Sequence, residues 1–253
     1  MATGKIIPPF EVPERAERMA TGLVSLGLEL LEPYDHGLDP IHAVHSYHYV
    51  EFLRTAHVRF QELPNAGPEV FPNVHPQVSA YPDLSPRERP RPSRIFSQAG
   101  WYMGDMACAL GAETWQAGYA SAQSAIAAAK TITAGDDEAL ALCHPPGHHA
   151  YSDCASGFCS LNNAAIAAKE LLTRVNRVVS SISAHIMAMA LRQFSADARM
   201  CLMDQPIPTP ANTIHSTWDT LTKQDLMRAT NSISTFQFRP AHQTKNSLMQ
   251  INS

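Results

Sequence analysis

Two adjacent imidazoles sit in the run Cys143-His144-Pro145-Pro146-Gly147-His148-His149-Ala150. A second run, Gly157-Phe158-Cys159-Ser160-Leu161-Asn162-Asn163, follows closely. Imidazole is the side chain that changes charge nearest neutral pH, so His148 and His149 are candidates for moving protons. Pro145, Pro146 and Gly147 make a rigid, sharply turned loop to carry them. A bare His-His pair reads as an exposed surface turn; the second run argues against that reading here. His148, His149, Cys154 and Cys159 also lie close enough in sequence to suggest a structural zinc site. Their spacing does not match the short Cys-x-x-Cys turns of paired-cysteine zinc modules, so these cysteines read as buried or loop residues.

The elements that must position this loop are legible on both sides of it. Ala139 to Cys143 is an apolar run of strand length, and Leu161 to Val175 has helical spacing. Thr114 to Thr133 is an alanine-rich helix closed by Gly135, whose small residues suit close packing on a sheet. Nearer the N-terminus, Pro13 to Leu31 predicts an amphipathic helix with Met19, Leu23, Leu26 and Leu30 on one face. Ser46 can cap another, with Tyr49, Phe52, Leu53, Ala56 and Phe60 apolar at helical spacing. Between Pro64 and Arg94 lies a proline-rich stretch without period, a functional or interface loop, or a disordered one. Alternation of helix and strand argues for an α/β domain with a parallel sheet. Loops at the carboxyl ends of such strands carry ligands and chemistry, and His148 and His149 fall there.

The chain has 253 residues and a formal net charge of -4, which favours neither nucleic acid nor an anionic membrane. One domain is the default at this length. No apolar run is long enough to span a bilayer, and the N-terminus does not read as a signal peptide. Five cysteines form no disulfide framework, so a reduced, cytoplasmic setting is expected.

The paired loops resemble those of the histone deacetylase superfamily, and within it the acetylpolyamine amidohydrolases. Further blocks resemble that family in order: Gly4 to Met19 (GKIIPPFEVPERAERM), Val44-His45 with Tyr49 to Leu53, and Trp101 to Lys130 with Gly111-Ala112-Glu113-Thr114-Trp115 inside it. The resemblance runs from about Gly4 to about Arg177. It implies the three-layer arginase/deacetylase-type α/β fold, a parallel sheet with flanking helices, here incomplete. It also implies zinc-dependent deacetylation of an acetylated amine, acetylpolyamine first and acetyl-lysine second. His148 and His149 would move the protons, while Gly157 and Phe158 would line the channel for the substrate's aliphatic stem. The insertion at 64–94 would dimerise the protein and narrow the site, as it does in related amidohydrolases. Three positions depart from the family: His144 stands for the usual Arg, Ser160 for an aromatic residue, and Ser156 for the first glycine of a Gly-Gly pair. Each could adjust the pocket floor without removing the histidines.

The resemblance implies metal ligands that this chain does not show. The family takes zinc with an Asp-x-His pair and a later Asp, and uses a Tyr as oxyanion donor. No Asp-x-His follows Arg177, and the chain ends before the later Asp and Tyr are expected. No metal-ligand set is therefore assigned, and tight zinc binding is not expected; His185, Asp197 and Asp204 are the substitutes to suspect.

Residues 178–253 read as a non-homologous tail, and the genetic code offers a reason. Ala184 to Leu191 must be encoded GCN CAY ATH ATG GCN ATG GCN followed by CTN or TTR. Regrouped two nucleotides later, the codons permit His-His-Gly-Asn-Gly-Thr, with both glycines forced. That is the block after the family's zinc-binding Asp. The same shift lets Met203 to Pro210 read Gly-Ser-Ala-His-Ser-Asp-Pro and Trp218 to Asp225 read Gly-Tyr-Ala-Asp-Glu-Thr-Gly, again family blocks in family order. One codon misfits: NGC falls where the Asp belongs. The tail is thus expected to be out of frame, and the chain an impaired amidohydrolase or, alternatively, an inactive fragment or binding protein.

Overall fold

Pro13 opens the first helix, α1 (Pro13–Ser25), where its missing N–H costs nothing and its fixed φ suits the first turn. The computed structural model describes residues 12–73, 75, 91–182, 200–204, 234–240 and 248–252. Helix α1 stops well before Leu31, the boundary expected from its apolar spacing. Gly27 takes the left-handed conformation (φ 82°), and the Leu28 N–H turns back to the Leu23 carbonyl at 3.2 Å. Leu23 is the one α1 residue that is fully buried; Leu26, Leu28, Leu30 and Leu31 are exposed.

The short α2 (Asp39–His42) leads to α3 (Tyr47–Gln61), capped as expected by the Ser46 hydroxyl, which accepts from the Tyr49 N–H at 3.4 Å. Tyr49, Phe52, Leu53, Ala56 and Phe60 form its buried face. Helix α4 (Ile95–Tyr102) packs on that face, with the Phe52 and Tyr102 rings 5.0 Å apart. Of the proline-rich stretch, Val70 bridges Leu110, and residues 76–90 lie outside the described residues.

Helix α5 (Thr114–Ala134) ends at Gly135 (φ 122°), and α6 (Asn163–Leu171) follows the loop. The two helices pack on each other, and α5 also lies against β1 (Leu140–Cys143). Small residues on α5 permit this approach. At Gly118 an added Cβ would stand 2.7 Å from the Ser160 Oγ. Helix α6 is shorter than the expected 161–175. Its first turn begins after Asn162, whose side chain caps it, and it closes at Leu172.

The sheet also holds β2 (Arg177–Ile182), β3 (Met200–Asp204), β4 (Ser234–Pro240) and β5 (Leu248–Asn252), in the order β1-β4-β5-β2-β3. Strand β2 pairs in parallel with β3 and β5, whereas β4 is antiparallel to both β1 and β5. The directions of β1, β2, β3 and β5 therefore agree, as expected, and β4 departs from the parallel pattern. No strand is expected from the sequence beyond residue 177; β3, β4 and β5 lie there, with most of β2. Strands β1 and β2 are not neighbours, and the β4–β5 pair satisfies the backbone groups between them. Among the described residues, no helix is long and apolar enough to cross a membrane.

One buried hydrogen bond ties this scaffold to the loop region: the Tyr49 hydroxyl donates to the Ser160 carbonyl at 2.5 Å. Tyr49→Phe leaves that carbonyl unpaired in the core. We expect a loss of about 1–2 kcal/mol of stability, read from the urea midpoint of the variant against the parent chain.

Candidate functional site

The loop leaves the carboxyl end of β1 at His144 and turns at Pro145, Pro146 and Gly147. Its shape is held from below. Ser121 on α5 donates through its hydroxyl to the Pro145 carbonyl (2.9 Å), and the Asn163 side-chain amide donates to the Ser121 Oγ (2.8 Å). Gly147 lies flat on the start of α6. A Cβ there would meet the Asn163 nitrogen at 2.5 Å and the Leu161 oxygen at 2.6 Å, both backbone atoms that cannot give way.

Asn162 joins loop to helix. Its side-chain amide donates to the Ala150 carbonyl (2.8 Å), while its side-chain oxygen accepts from the Ala165 N–H (3.0 Å) and caps α6. Its backbone N–H donates to the Nε2 of His45 at 2.8 Å. That nitrogen must be unprotonated, so His45 is neutral. Burial pushes its imidazole down to about 4, against the opposing pull of the Ser152 and Tyr151 backbone.

This frame brings His148 and His149 together, with ring centroids 4.2 Å apart. Both are partly buried, so the exposed-turn reading does not hold. Burial, helped by the adjacent His149, pushes His148 down to about 4. Burial also lowers His149, while the Asp105 charge opposes it. Both rings are therefore neutral at pH 7, able to accept a proton.

Gly157 and Phe158 sit on the turn Ser156 to Cys159, closed by reciprocal bonds between the Ser156 and Cys159 backbones (3.1 and 2.9 Å). Gly157 (φ 53°) lies against His149; a Cβ there would be 2.7 Å from the imidazole Cδ2. Phe158 follows, also left-handed (φ 65°), and presents a part-exposed ring. Of the three departures, Ser160 does not floor a pocket: it is buried, with its side chain toward Gly118 of α5.

Asp105, which the sequence reading passed over, organises this turn. One carboxylate oxygen accepts from the Ser156 hydroxyl (2.7 Å) and the Gly157 N–H (2.8 Å), and the other from the Ala107 N–H (2.8 Å). Burial alone would raise its pKa, but these bonds outweigh it and hold the carboxyl below its ordinary value. No local spacing signals the role, because the turn it holds lies about fifty residues away. A cleft on the α3–α4 side, lined by His48, Glu51, Arg59 and Tyr102, includes neither His148 nor His149.

Among the described residues, no three His, Cys, Asp or Glu side chains come together to hold an ion. Burial pushes the Cys154 thiol up to about 12. Cys154 and Cys159 are thus a partly buried and a buried free thiol. His185 and Asp197 lie outside the described residues. Asp204 ends β3, described as backbone only.

Two outcomes follow for the folded chain. Gly147→Ala forces the loop off α6, with an expected loss of more than about 2 kcal/mol, measured by chemical denaturation. His45 and His148 both sit at about 4, below the ordinary 6.5. As the pH falls, the unfolded chain takes up these protons first. Stability present at pH 7 is therefore lost between about pH 6.5 and 4, at about 1.4 kcal/mol per histidine for each pH unit. Urea midpoints at pH 7 and pH 5 check this, with a smaller difference expected in His148→Gln.

Comparison with known proteins bears on this geometry. The sequence profile of the histone deacetylase domain matches residues 9–181. An acetylpolyamine amidohydrolase of Burkholderia pseudomallei (strain 1710b) is 43% identical over 176 residues, 69% of this chain and 49% of that protein. Another, from Mycoplana ramosa, is 37% identical over 173 residues, 68% of this chain and 48% of that protein. The chain spans about half the length of the curated relatives it matches. The crystal structure of the acetylpolyamine aminohydrolase from Burkholderia pseudomallei is similar with a TM-score of 0.73 at 38% identity, covering 80% of this chain and 57% of that one. The HD domain of HDA15, 16% identical with a TM-score of 0.56, shares the fold. The fold is of the arginase/deacetylase type, and the chain belongs to the histone deacetylase domain family.

Proposed function

We propose that this member of the histone deacetylase family carries the proton-transfer loop of a zinc-dependent amidohydrolase for acetylated amines, and that the chain as written is catalytically impaired. Acetylpolyamine is the first substrate class and acetyl-lysine the second. The observation that carries the reading is the close approach of Gly157 to His149, itself paired with His148, on the loop that follows β1. His148, neutral at pH 7, is placed to take a proton from a water. His149 would deliver one to the departing amine, and Phe158 would present an aromatic face to the aliphatic stem.

Impairment is supported by the described residues. Zinc would polarise an acetamide carbonyl and lower the pKa of its water in this family's chemistry. Among the described residues, no three His, Cys, Asp or Glu side chains come together to hold it. That mismatch equally favours the second reading, a catalytically inactive fragment or binding protein.

Residues 1–177 form the deacetylase-like part in this reading, and 178–253 an out-of-frame tail. The His-His-Gly-Asn-Gly-Thr block permitted by the shifted codons falls on residues 184–191, outside the described residues. A second copy would meet the protein through 64–94. A cytoplasmic, reducing location suits the free thiols of Cys108, Cys143, Cys154 and Cys159.

The coding DNA between the codons for Leu172 and Ala184 tests the tail directly. Expression in both frames, with acetylputrescine and an acetyl-lysine peptide assayed in added zinc, tests the activity. Hydrolysis by the chain as written is expected at background, with no stoichiometric zinc surviving mild chelation. The shifted frame is expected to improve solubility, and to regain activity only when an Asp also replaces its NGC-encoded residue. Robust turnover by the chain as written, abolished in His148→Ala, would overturn the impaired reading.

A further inference from the structure

Asp105 stands apart from the paired histidines in sequence yet meets their site from a different element. It follows α4 on a segment whose Gly104 N–H donates to the Ala155 carbonyl (2.7 Å), while the Ala155 N–H donates to the Tyr102 carbonyl (2.8 Å). This short ladder brings the carboxylate under the Ser156–Cys159 turn. There it accepts two bonds from the turn, through the Ser156 hydroxyl and the Gly157 N–H. Gly157 in turn has no side chain between it and the His149 ring. The chain of contact runs carboxylate, glycine amide, imidazole, with no spare space.

We propose that Asp105 is a positioning residue for His149: it holds Gly157 and Phe158 in their left-handed turn, and through that turn sets the orientation and proton affinity of the imidazole. This rests on the reading of His149 as a proton-transfer group, but not on the presence of metal or substrate. Two features support it. Phe158 occupies a backbone region that non-glycine residues rarely adopt, so the turn needs an external hold, and the Asp105 bonds supply it. A carboxylate is also the partner that keeps a proton on a neighbouring imidazole. The titratable groups nearest His149 are Asp105, across Gly157, and His148, its ring centroid 4.2 Å away. Burial works against protonation, and the Asp105 charge is the force that opposes it. The sequence departure at Ser156 belongs to the same device. A hydroxyl stands where the family usually has glycine, and it adds a second bond to the carboxylate.

The test uses the full chain as it exists, followed by NMR of the imidazole and amide groups. In Asp105→Asn the His149 titration midpoint is expected to fall by about half a pH unit or more, with His148 moving less. Exchange of the Gly157 amide proton is expected to accelerate. Asp105→Glu, which keeps the charge, should restore most of the His149 midpoint; a merely structural aspartate would show no such charge-dependent rescue. The unaltered chain gives a second measurement that needs no variant. Its Gly157 amide resonance should move with an acidic midpoint below that of an ordinary aspartate. A folded Asp105→Asn with an unchanged His149 midpoint would overturn the proposal. So would a Gly157 amide insensitive to acid in the unaltered chain. Neither measurement depends on turnover, so a failed hydrolysis assay and a failed positioning role remain distinguishable.

Discussion

Asn162 makes three buried hydrogen bonds, and the site depends on them. One side-chain atom caps α6, another holds Ala150 at the end of the histidine loop, and the backbone N–H meets a neutral His45 from the segment between α2 and α3. Each bond is buried, so each lost partner would leave a polar group without water to replace it. The loop is therefore not draped over the fold. It is bolted between the helix that follows it and the segment that precedes α3. Asn163 and Ser121 repeat the device one residue further on, at the Pro145 carbonyl.

The same framework that places the imidazoles also buries them. Burial drives both pKa values down. A neighbouring carboxylate ordinarily offsets this desolvation, and among the described residues the opposing charge on His149 is that of Asp105. His148 falls to about 4 through burial and the adjacent His149. The position of the histidines and their basicity are thus set by different contacts.

How much of this was legible in the sequence follows the range of each interaction. Helix α3, its Ser46 cap and the long α5 could be read because apolar spacing and capping are local signals. The loop with His148 and His149 was read from its prolines and glycine, and its placement after a strand came with it. Helix α1 was overextended because Leu26 and Leu30 continue the apolar period after the left-handed Gly27 has already ended the helix. Asp105, His45 and the β4–β5 insertion were not legible as they act. Their partners are distant along the chain, and nothing in residue type or spacing announces a pairing at that distance. Phe158 was chosen by family resemblance; its left-handed backbone had no local cue.

The contact between Gly118 and Ser160 has a consequence for how this sequence can change over time. At 2.7 Å, the space for a methyl on α5 is already taken by a serine hydroxyl. Family members that carry an aromatic ring at the Ser160 position need different surroundings for it. The two sites are in contact, so what one can hold depends on the other. A larger residue at 118 must wait on the Ser160 hydroxyl turning aside, which ties the history of α5 to that of the loop beside it.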